Sequence, residues 1–448
     1  MKSPTVNIIG AGQCGTLIAI MLARHGFKVV VYERFKDPRI QDAEAGRSIN
    51  LALAARGLNA LQQVGIDALI RPLMVPMRGR MVHQQDGRSE FHPYGQQADE
   101  EIYSVTRLGL NQVLLGVASE TPNLALNFEQ NAIGYDAPDR IVHVRDERRG
   151  TLYQVEAEPL LAADGAGSNI RRSFDGSDTF GGIETLLRHG YKELSIPAGP
   201  DGQYQLAADA LHIWPRGGFM LIALPNTDGS FTVTLFLSKN GDPGFDGLAD
   251  WPGQQRFMKT HFPDAMDLLD DLQGDFRDNP VGLLGTIRCA KWHFGDKAVL
   301  LGDAAHAVVP FHGQGMNAAF EDCVEFMACI EDRDRDWEAM FREFEANRID
   351  HANAIADMAL ENYRVMRESV RDPRFLLRKE LEHELERRHP QRFIARYSLV
   401  MFHRLPYAEV YRRGQAQSKL LNQLLESAET IDDIDFERAA RLVDGQLD

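Results

Sequence analysis

"TVNIIGAGQCGTLIAIMLARHGFKVVVYER", residues 5–34, decides the fold. The apolar run "VNII" reads as a buried strand, the residues after the glycine turn carry helical spacing, and "KVVVYE" reads as a second strand. Strand, helix and strand in that order make a right-handed crossover, and therefore a parallel sheet. The glycines sit at Gly10, Gly12 and Gly15, and Glu33 ends the second strand, 23 residues after Gly10. Glycine lets the backbone approach a pyrophosphate, the helix start offers N–H donors and a positive dipole end, and Glu33 can accept from ribose hydroxyls. Glycine spacing alone is weak; the flanking strands and the placed acid make it a dinucleotide fingerprint.

Two further strand-to-glycine junctions lie far along the chain, "LLAADGAGSNIRR" (160–172) and "KAVLLGDAAH" (297–306). Three such junctions imply one nucleotide-binding sheet assembled from separated segments. Between them, "HIWPRGGFMLIALPNTDGSFTVTLFLS" (212–238) reads as two strands joined by an Asn/Asp/Gly turn. Met220, Ile222 and Leu224 alternate on one face there, as do Thr232, Thr234 and Phe236. From Asp336 onward the pattern is helical, with Met340, Phe344, Ile349, Ile355, Met358 and Tyr363 in step; "EDRDRDWE" before it reads as a solvated approach.

Composition narrows the class. A chain of 448 residues holds two or three domains at about 150 residues each. Its 65 acids against 49 bases give a net charge of −16, opposite to a nucleic-acid footprint. The four cysteines show no CxxC spacing, which fits a reducing cytoplasm and gives no metal site. No signal-peptide pattern opens the chain, and "TLIAIMLA" is far too short to span a bilayer, so neither nucleic acid nor membrane is an expected partner. The oligomeric state is open, a homodimer being one option.

Asp164-Gly165 with Ser168 and Arg171, and Gly302-Asp303 with His306, Pro310, Gly313, Gly315 and Asn317, resemble the two additional fingerprints of the class A FAD-dependent aromatic hydroxylases. The resemblance implies an α/β fold: a Rossmann-like FAD-binding domain of the glutathione reductase type, an inserted antiparallel β-sheet substrate domain, and C-terminal helices. The expected segments are 1–73, 99–178 and 285–335 for FAD binding, 74–98 and 179–284 for substrate, and 336–448 for the helices. It implies that Asp303 holds the ribityl chain, that Asp164 lies near the cofactor groove, and that Arg34, Ala52 and Arg107 touch FAD. Gly313, Gly315, Met316 and Asn317 then present a helix start to the flavin's pyrimidine edge, where reduced flavin carries negative charge.

Further segments are not general flavoprotein motifs: "GRSINLALAARG" (46–57), "MRGRMVH" (77–83), "PYG" (93–95), "YSVTRLGLNQVLL" (103–115), "GYKEL" (190–194), "VPFHGQGMN" (309–317), "MALENY" (358–363) and "RYSLVMFHRLPYA" (396–408). Nearly end to end, they resemble the bacterial branch of the kynurenine 3-monooxygenase family. That resemblance implies NADPH- and O2-dependent hydroxylation of L-kynurenine to 3-hydroxykynurenine through a flavin C4a-hydroperoxide, with no catalytic side chain. Arg80 and Tyr94 match the pair that binds the substrate carboxylate, Asn362 and Tyr397 match further polar contacts, and Leu211, Met220, Ile222, Leu224 and Phe236 match the pocket lining. Phe311 and His312 fall in the loop beneath the flavin ring; many relatives have phenylalanine where His312 stands. His306 reads as a structural residue of that loop. The alternative within the same fold is a hydroxylase of another aromatic acid, of salicylate or hydroxybenzoate type. Such substrates would leave Arg80, Tyr94 and Asn362 over-provided.

Overall fold

The computed structural model describes residues 5–40, 50–97, 99–174, 180–331, 336–366 and 372–447. Residues 46–49 of "GRSINLALAARG" and 332–335 of "EDRDRDWE" lie outside the described residues. The chain forms two compact units: Met1–Met74, Ser104–Leu187 and Leu283–Ala356 make the first, and Val75–Tyr103, Arg188–Gly282 and Asp357–Asp448 the second.

In the first unit, Thr5–Ile9 pairs in parallel with Lys28–Glu33 on one side and Leu160–Ala162 on the other. Leu124–Phe128 extends the sheet beyond Lys28–Glu33, and Ala298–Leu300 extends it beyond Leu160–Ala162. The three glycine junctions are therefore neighbours at one edge of one sheet, although some 290 residues separate the first from the last. Buried Leu17, Ile18, Ile20 and Leu22 run almost all round the Gln13–Arg24 helix. It packs between the sheet and the Arg107–Glu120 and Gly315–Glu331 helices, so no face is left to water.

The second unit is built on a sheet ordered 188–196, Phe231–Ser238, Met220–Pro225, Ala210–Pro215, Gly79–His83, Ser89–Pro93. The Met220–Pro225 and Phe231–Ser238 strands form the expected hairpin, closed by Asn226 and Ser230 and by Gly229 at φ 88°. The reading of 212–238 as two strands needs correction: "HIWP" belongs to a third strand, Ala210–Pro215, paired antiparallel with Met220–Pro225. Its terminal Pro215 and the Gly217-Gly218 turn disguise it, because both residue types ordinarily mark loops. One face of this sheet carries Leu221, Ala223, Val233, Leu235 and Trp214 into a core with Phe257, Phe262 and Phe276 from the covering helices. Three later helices, Pro373–Arg388, Tyr407–Leu424 and Phe436–Gln446, share a separate core around Leu381, Leu385, Leu420 and Leu421.

Candidate active site

The nucleotide cradle is built from backbone. Gly10 takes φ 99°, and a Cβ there would lie 2.4 Å from the Ala163 carbonyl oxygen; one on Gly15 would lie 2.0 Å from that of Gly10. These two glycines are required by close approach of strand, turn and helix. Gly12 differs: it is exposed, and a Cβ would meet no protein atom within 4 Å. That open space fronts a helix start with no side-chain cap, so its N–H groups are available to a phosphate. Glu33 Oε2 accepts the Ala11 N–H at 2.7 Å and Oε1 the Phe35 N–H at 2.9 Å, which ties the end of the second strand to the glycine loop. Arg34 lies exposed over the Phe35 ring, and Arg107, also exposed, opens its helix and accepts Gln13 Nε2 on its carbonyl.

At the second junction, Asp164 Oδ2 accepts the N–H groups of Asn169 at 2.8 Å and Ile170 at 3.3 Å. Its Oδ1 is shielded from solvent and has no hydrogen-bond partner, and burial pushes the carboxyl above its ordinary pKa. A shielded, unpartnered acceptor beside an open phosphate cradle fits the polar body of a dinucleotide such as FAD. Arg171 donates to the carbonyls of Ala166 and Ala304, tying the second junction to the third.

The third junction is held by a buried charge network: the acid pair Glu321-Asp322 stands out in the sequence, but its partners do not. His306 Nε2 lies 2.5 Å from Asp322 Oδ2, which also accepts the Gly302 N–H. Arg348 donates to Asp322 Oδ1 at 2.8 Å and to Glu321 at 2.7 Å, and Arg56 donates to the other Glu321 oxygen. Burial opposes ionisation of Asp322, but His306 and Arg348 outweigh it and hold the carboxyl below its ordinary value. The signal was present: Arg348 falls one turn after Phe344 on the apolar stripe of the Trp337–Arg364 helix, where an arginine needs a buried partner. Asp303 stands half-buried just after Gly302, at the start of a single helical turn.

Asn317 does more than open its helix. Its Oδ1 accepts the Ala54 N–H, and its Nδ2 donates to the carbonyls of Ala52 and Gly313. Its side chain is therefore spent on joining the Asn50–Leu53 strand to the glycine loop, leaving backbone N–H groups as the donors this segment offers. Gly313 takes φ 62° against Ala52, while Gly315 is half-buried and Met316 buried. Phe311 and His312, in the preceding turn, are both buried in the first unit.

The second unit gathers a different set. Opposite its core face, the sheet registers Met220 with Phe236, Ile222 with Thr234, and Arg80 with Leu211; Leu224 follows on the same side. The apolar residues expected as pocket lining thus share one surface with Arg80. The Arg80 guanidinium lies 4.6 Å from the Tyr397 ring centroid and 5.5 Å from that of Tyr94, and the two rings stack 5.4 Å apart. Arg80 Nε and the Tyr94 hydroxyl are both shielded from solvent and without hydrogen-bond partners. Burial opposes the Arg80 charge, yet the neighbouring phenols outweigh it; burial pushes the Tyr94 phenol well above its ordinary pKa, so it stays a neutral donor. Among the described residues no acid pairs with Arg80. Asn362, half-buried, has its Nδ2 3.7 Å from Met366 Sδ.

A glycine cradle joined to two aspartate-bearing strand ends defines an FAD-binding α/β flavoprotein, and the sequence profile of the FAD binding domain family matches residues 3–358. The kynurenine 3-monooxygenase of Stenotrophomonas maltophilia (strain K279a) is 44% identical over 99% of this chain and 97% of its own length. That of Myxococcus xanthus (strain DK1622) is 43% identical over 100% and 96%. The chain belongs to the kynurenine 3-monooxygenase family of FAD-dependent hydroxylases. Solved structures share the fold at low identity. The tetrameric form of 2-methyl-3-hydroxypyridine-5-carboxylic acid oxygenase superposes with TM-score 0.67 at 18% identity, covering 84% of this chain and 96% of its own. Klebsiella pneumoniae HpxO complexed with FAD and uric acid gives 0.65 at 18%, covering 96% and 97%. Among the described residues no helix is long and apolar enough to cross a membrane.

Proposed function

We propose that this protein hydroxylates L-kynurenine to 3-hydroxykynurenine, with FAD bound and with NADPH and dioxygen as co-substrates. The observation that carries the reading is Arg80: a shielded guanidinium without an acid partner, beside the unpartnered hydroxyl of Tyr94 and next to an apolar sheet face. A cation in that setting favours an anionic ligand, and a guanidinium matches a carboxylate in a two-point fork. Leu211, Met220, Ile222, Leu224 and Phe236 supply a surface suited to an aromatic ring. An aromatic amino acid presents both features in one molecule.

Bound FAD would supply the redox chemistry, with NADPH giving the electrons and dioxygen the oxygen atom that enters the ring. The cradle at Gly10–Gly15, Glu33, Asp164 and Asp303 would hold the cofactor, and the helix start at Gly313–Asn317 would face the charge of its reduced form. Arg80 and Tyr94 fix the amino-acid tail and thereby set which ring carbon is presented. The apolar face excludes water from the ring. No side chain is assigned to proton abstraction: the ortho amino group already activates the ring, and His306 is committed to Asp322. A cytoplasmic location is proposed from the four cysteines without CxxC spacing; sedimentation of the purified holoenzyme would show whether it is a homodimer.

The test is one assay on the FAD-loaded protein, following NADPH oxidation and product with L-kynurenine and with salicylate. Formation of 3-hydroxykynurenine supports the reading. Hydroxylation of salicylate alone would move the protein to the other aromatic-acid hydroxylases. NADPH consumption with kynurenine but no hydroxylated product would make kynurenine an effector only.

A further inference from the structure

The face of the second unit's sheet that carries Arg80 also carries a hydroxyl the fold leaves unsatisfied. Thr232 and Thr234 both stand on that face of the Phe231–Ser238 strand, and their hydroxyls fare differently. Thr232 Oγ1 accepts Asn226 Nδ2 at 3.2 Å, so the hairpin turn satisfies it. Thr234 is completely buried, and its Oγ1 is shielded from solvent without a hydrogen-bond partner. Ile222 registers with it on one side and Glu193 on the other, and Met220 with Phe236 forms the next row. A valine has the same shape and would leave no bond unmade, so the fold gains nothing from a hydroxyl here. Three strand spacings of about 4.8 Å separate the Arg80 strand from the Thr234 strand, with Leu211 and Ile222 on the strands between. On the strand beyond, His189 registers with Ser238 and meets the Tyr363 ring edge-on at 5.6 Å, so the residues next to Asn362 lie over the same face.

We infer that the Thr234 hydroxyl accepts a hydrogen bond from the ring amino group of the substrate and, together with Arg80, decides which ring carbon is hydroxylated. The chemistry of an ortho-amino aryl ketone selects that partner. One amino N–H closes a six-membered ring onto the ketone oxygen. The other is left over and points along the ring edge toward C3, the carbon that receives oxygen. In an apolar slot a free N–H needs an acceptor, and Thr234 Oγ1 has no other bond to give up. Electronics alone do not choose C3, because an amino group activates the ring carbon para to it, C5, as well as the ortho one. Turning the ring over about its bond to the ketone exchanges C3 and C5. Arg80 and Tyr94 hold the tail and cannot prevent that turn; a second fixed point on the ring edge does.

This inference rests on kynurenine being the substrate. The experiment uses the FAD-loaded protein, unmodified and as Thr234→Val and Thr234→Ser, with L-kynurenine and with the analogue in which hydrogen replaces the ring amino group. Dissociation constants are read from the flavin absorbance, and the products of turnover are separated and counted against NADPH. Thr234→Val should bind L-kynurenine about tenfold more weakly, the loss of one buried hydrogen bond, and bind the analogue as the unmodified protein does. It should also yield less 3-hydroxykynurenine per NADPH oxidised, with the 5-hydroxy isomer appearing. Thr234→Ser keeps the hydroxyl and should stay close to the unmodified protein with both ligands. Without ligand, Thr234→Val should unfold at or above the temperature of the unmodified protein, because the fold makes no bond to that hydroxyl. Weaker binding of both ligands alike, unchanged affinity for L-kynurenine, an unchanged product profile, or a lower unfolding temperature in Thr234→Val overturns the inference alone. Absence of any kynurenine hydroxylation by the unmodified protein overturns the proposed function, and this inference with it.

Discussion

Among the described residues no acid answers the Arg80 charge. A shielded guanidinium lacking an acid is costly unless a ligand completes it, so its removal should act on binding. Arg80→Ala is expected to raise KM for L-kynurenine by about a hundredfold, some 3 kcal/mol, with FAD content unchanged. Arg80→Lys should recover little, because an ammonium cannot fork onto a carboxylate or stack flat on Tyr397. An affinity near the parent's in Arg80→Ala would remove the residue from the site. Tyr94→Phe takes away one shielded hydroxyl and should cost about tenfold in KM, read by the same kinetics. These residues were not legible from pattern. A lone arginine and a lone loop tyrosine have no spacing, and only segment-level resemblance pointed to them. Gly10 and Glu33 were legible, because the strand–turn–helix around them has a period that changes at the glycines. The tie between Asp322 and Arg348 was missed although Arg348 interrupts an apolar stripe, since no rule of spacing says which acid it will meet.

At the scale of elements, the Asp322 network is the joint between the third junction and two helices. Asp322 takes His306, the Gly302 N–H and Arg348 at once, so an amide there leaves Arg348 underpaired in a buried place. Asp322→Asn is expected to destabilise the first unit by about 3 kcal/mol and to weaken FAD retention together with it. Thermal unfolding with and without added FAD checks both effects, and a loss of stability with FAD affinity intact would show that the joint does not position the cradle. The βαβ unit and the 220–238 hairpin were readable because their periodicity and turns agree. The Ala210–Pro215 strand was not, since its ending in proline and paired glycines mimics a loop.

Over the molecule as a whole, acid stability is set in part by a pair of buried histidines in the second unit. His83 Nε2 lies 2.8 Å from His212 Nδ1, and the His83 ring stacks at 4.1 Å on Trp214. Burial, with His212 and Arg216, lowers His83 from 6.5 to about 4 against the pull of Asp264, and burial also lowers His212. A histidine depressed in the fold binds its proton more readily once unfolded. The stability of the neutral form is thus whole above about pH 6.5 and is lost as pH falls toward 4. After allowance for solvent screening the His83 share is about 2 kcal/mol. Urea unfolding at pH 7 and pH 5 should show that loss, with a smaller one in His83→Gln; equal stability at both pH values in the unmodified protein would contradict it.

The order of the first sheet bears also on synthesis. In chain order Thr5–Ile9 comes well before one of its flanking strands, Leu160–Ala162, and Ala298–Leu300 completes that side later still. The glycine turn at Gly10 also leans on Ala163. Until Leu160–Ala162 is made, Thr5–Ile9 therefore has one apolar side unpaired, and closing the sheet depends on pairings between distant parts of the chain, the kind that form slowly and leave apolar surface exposed meanwhile.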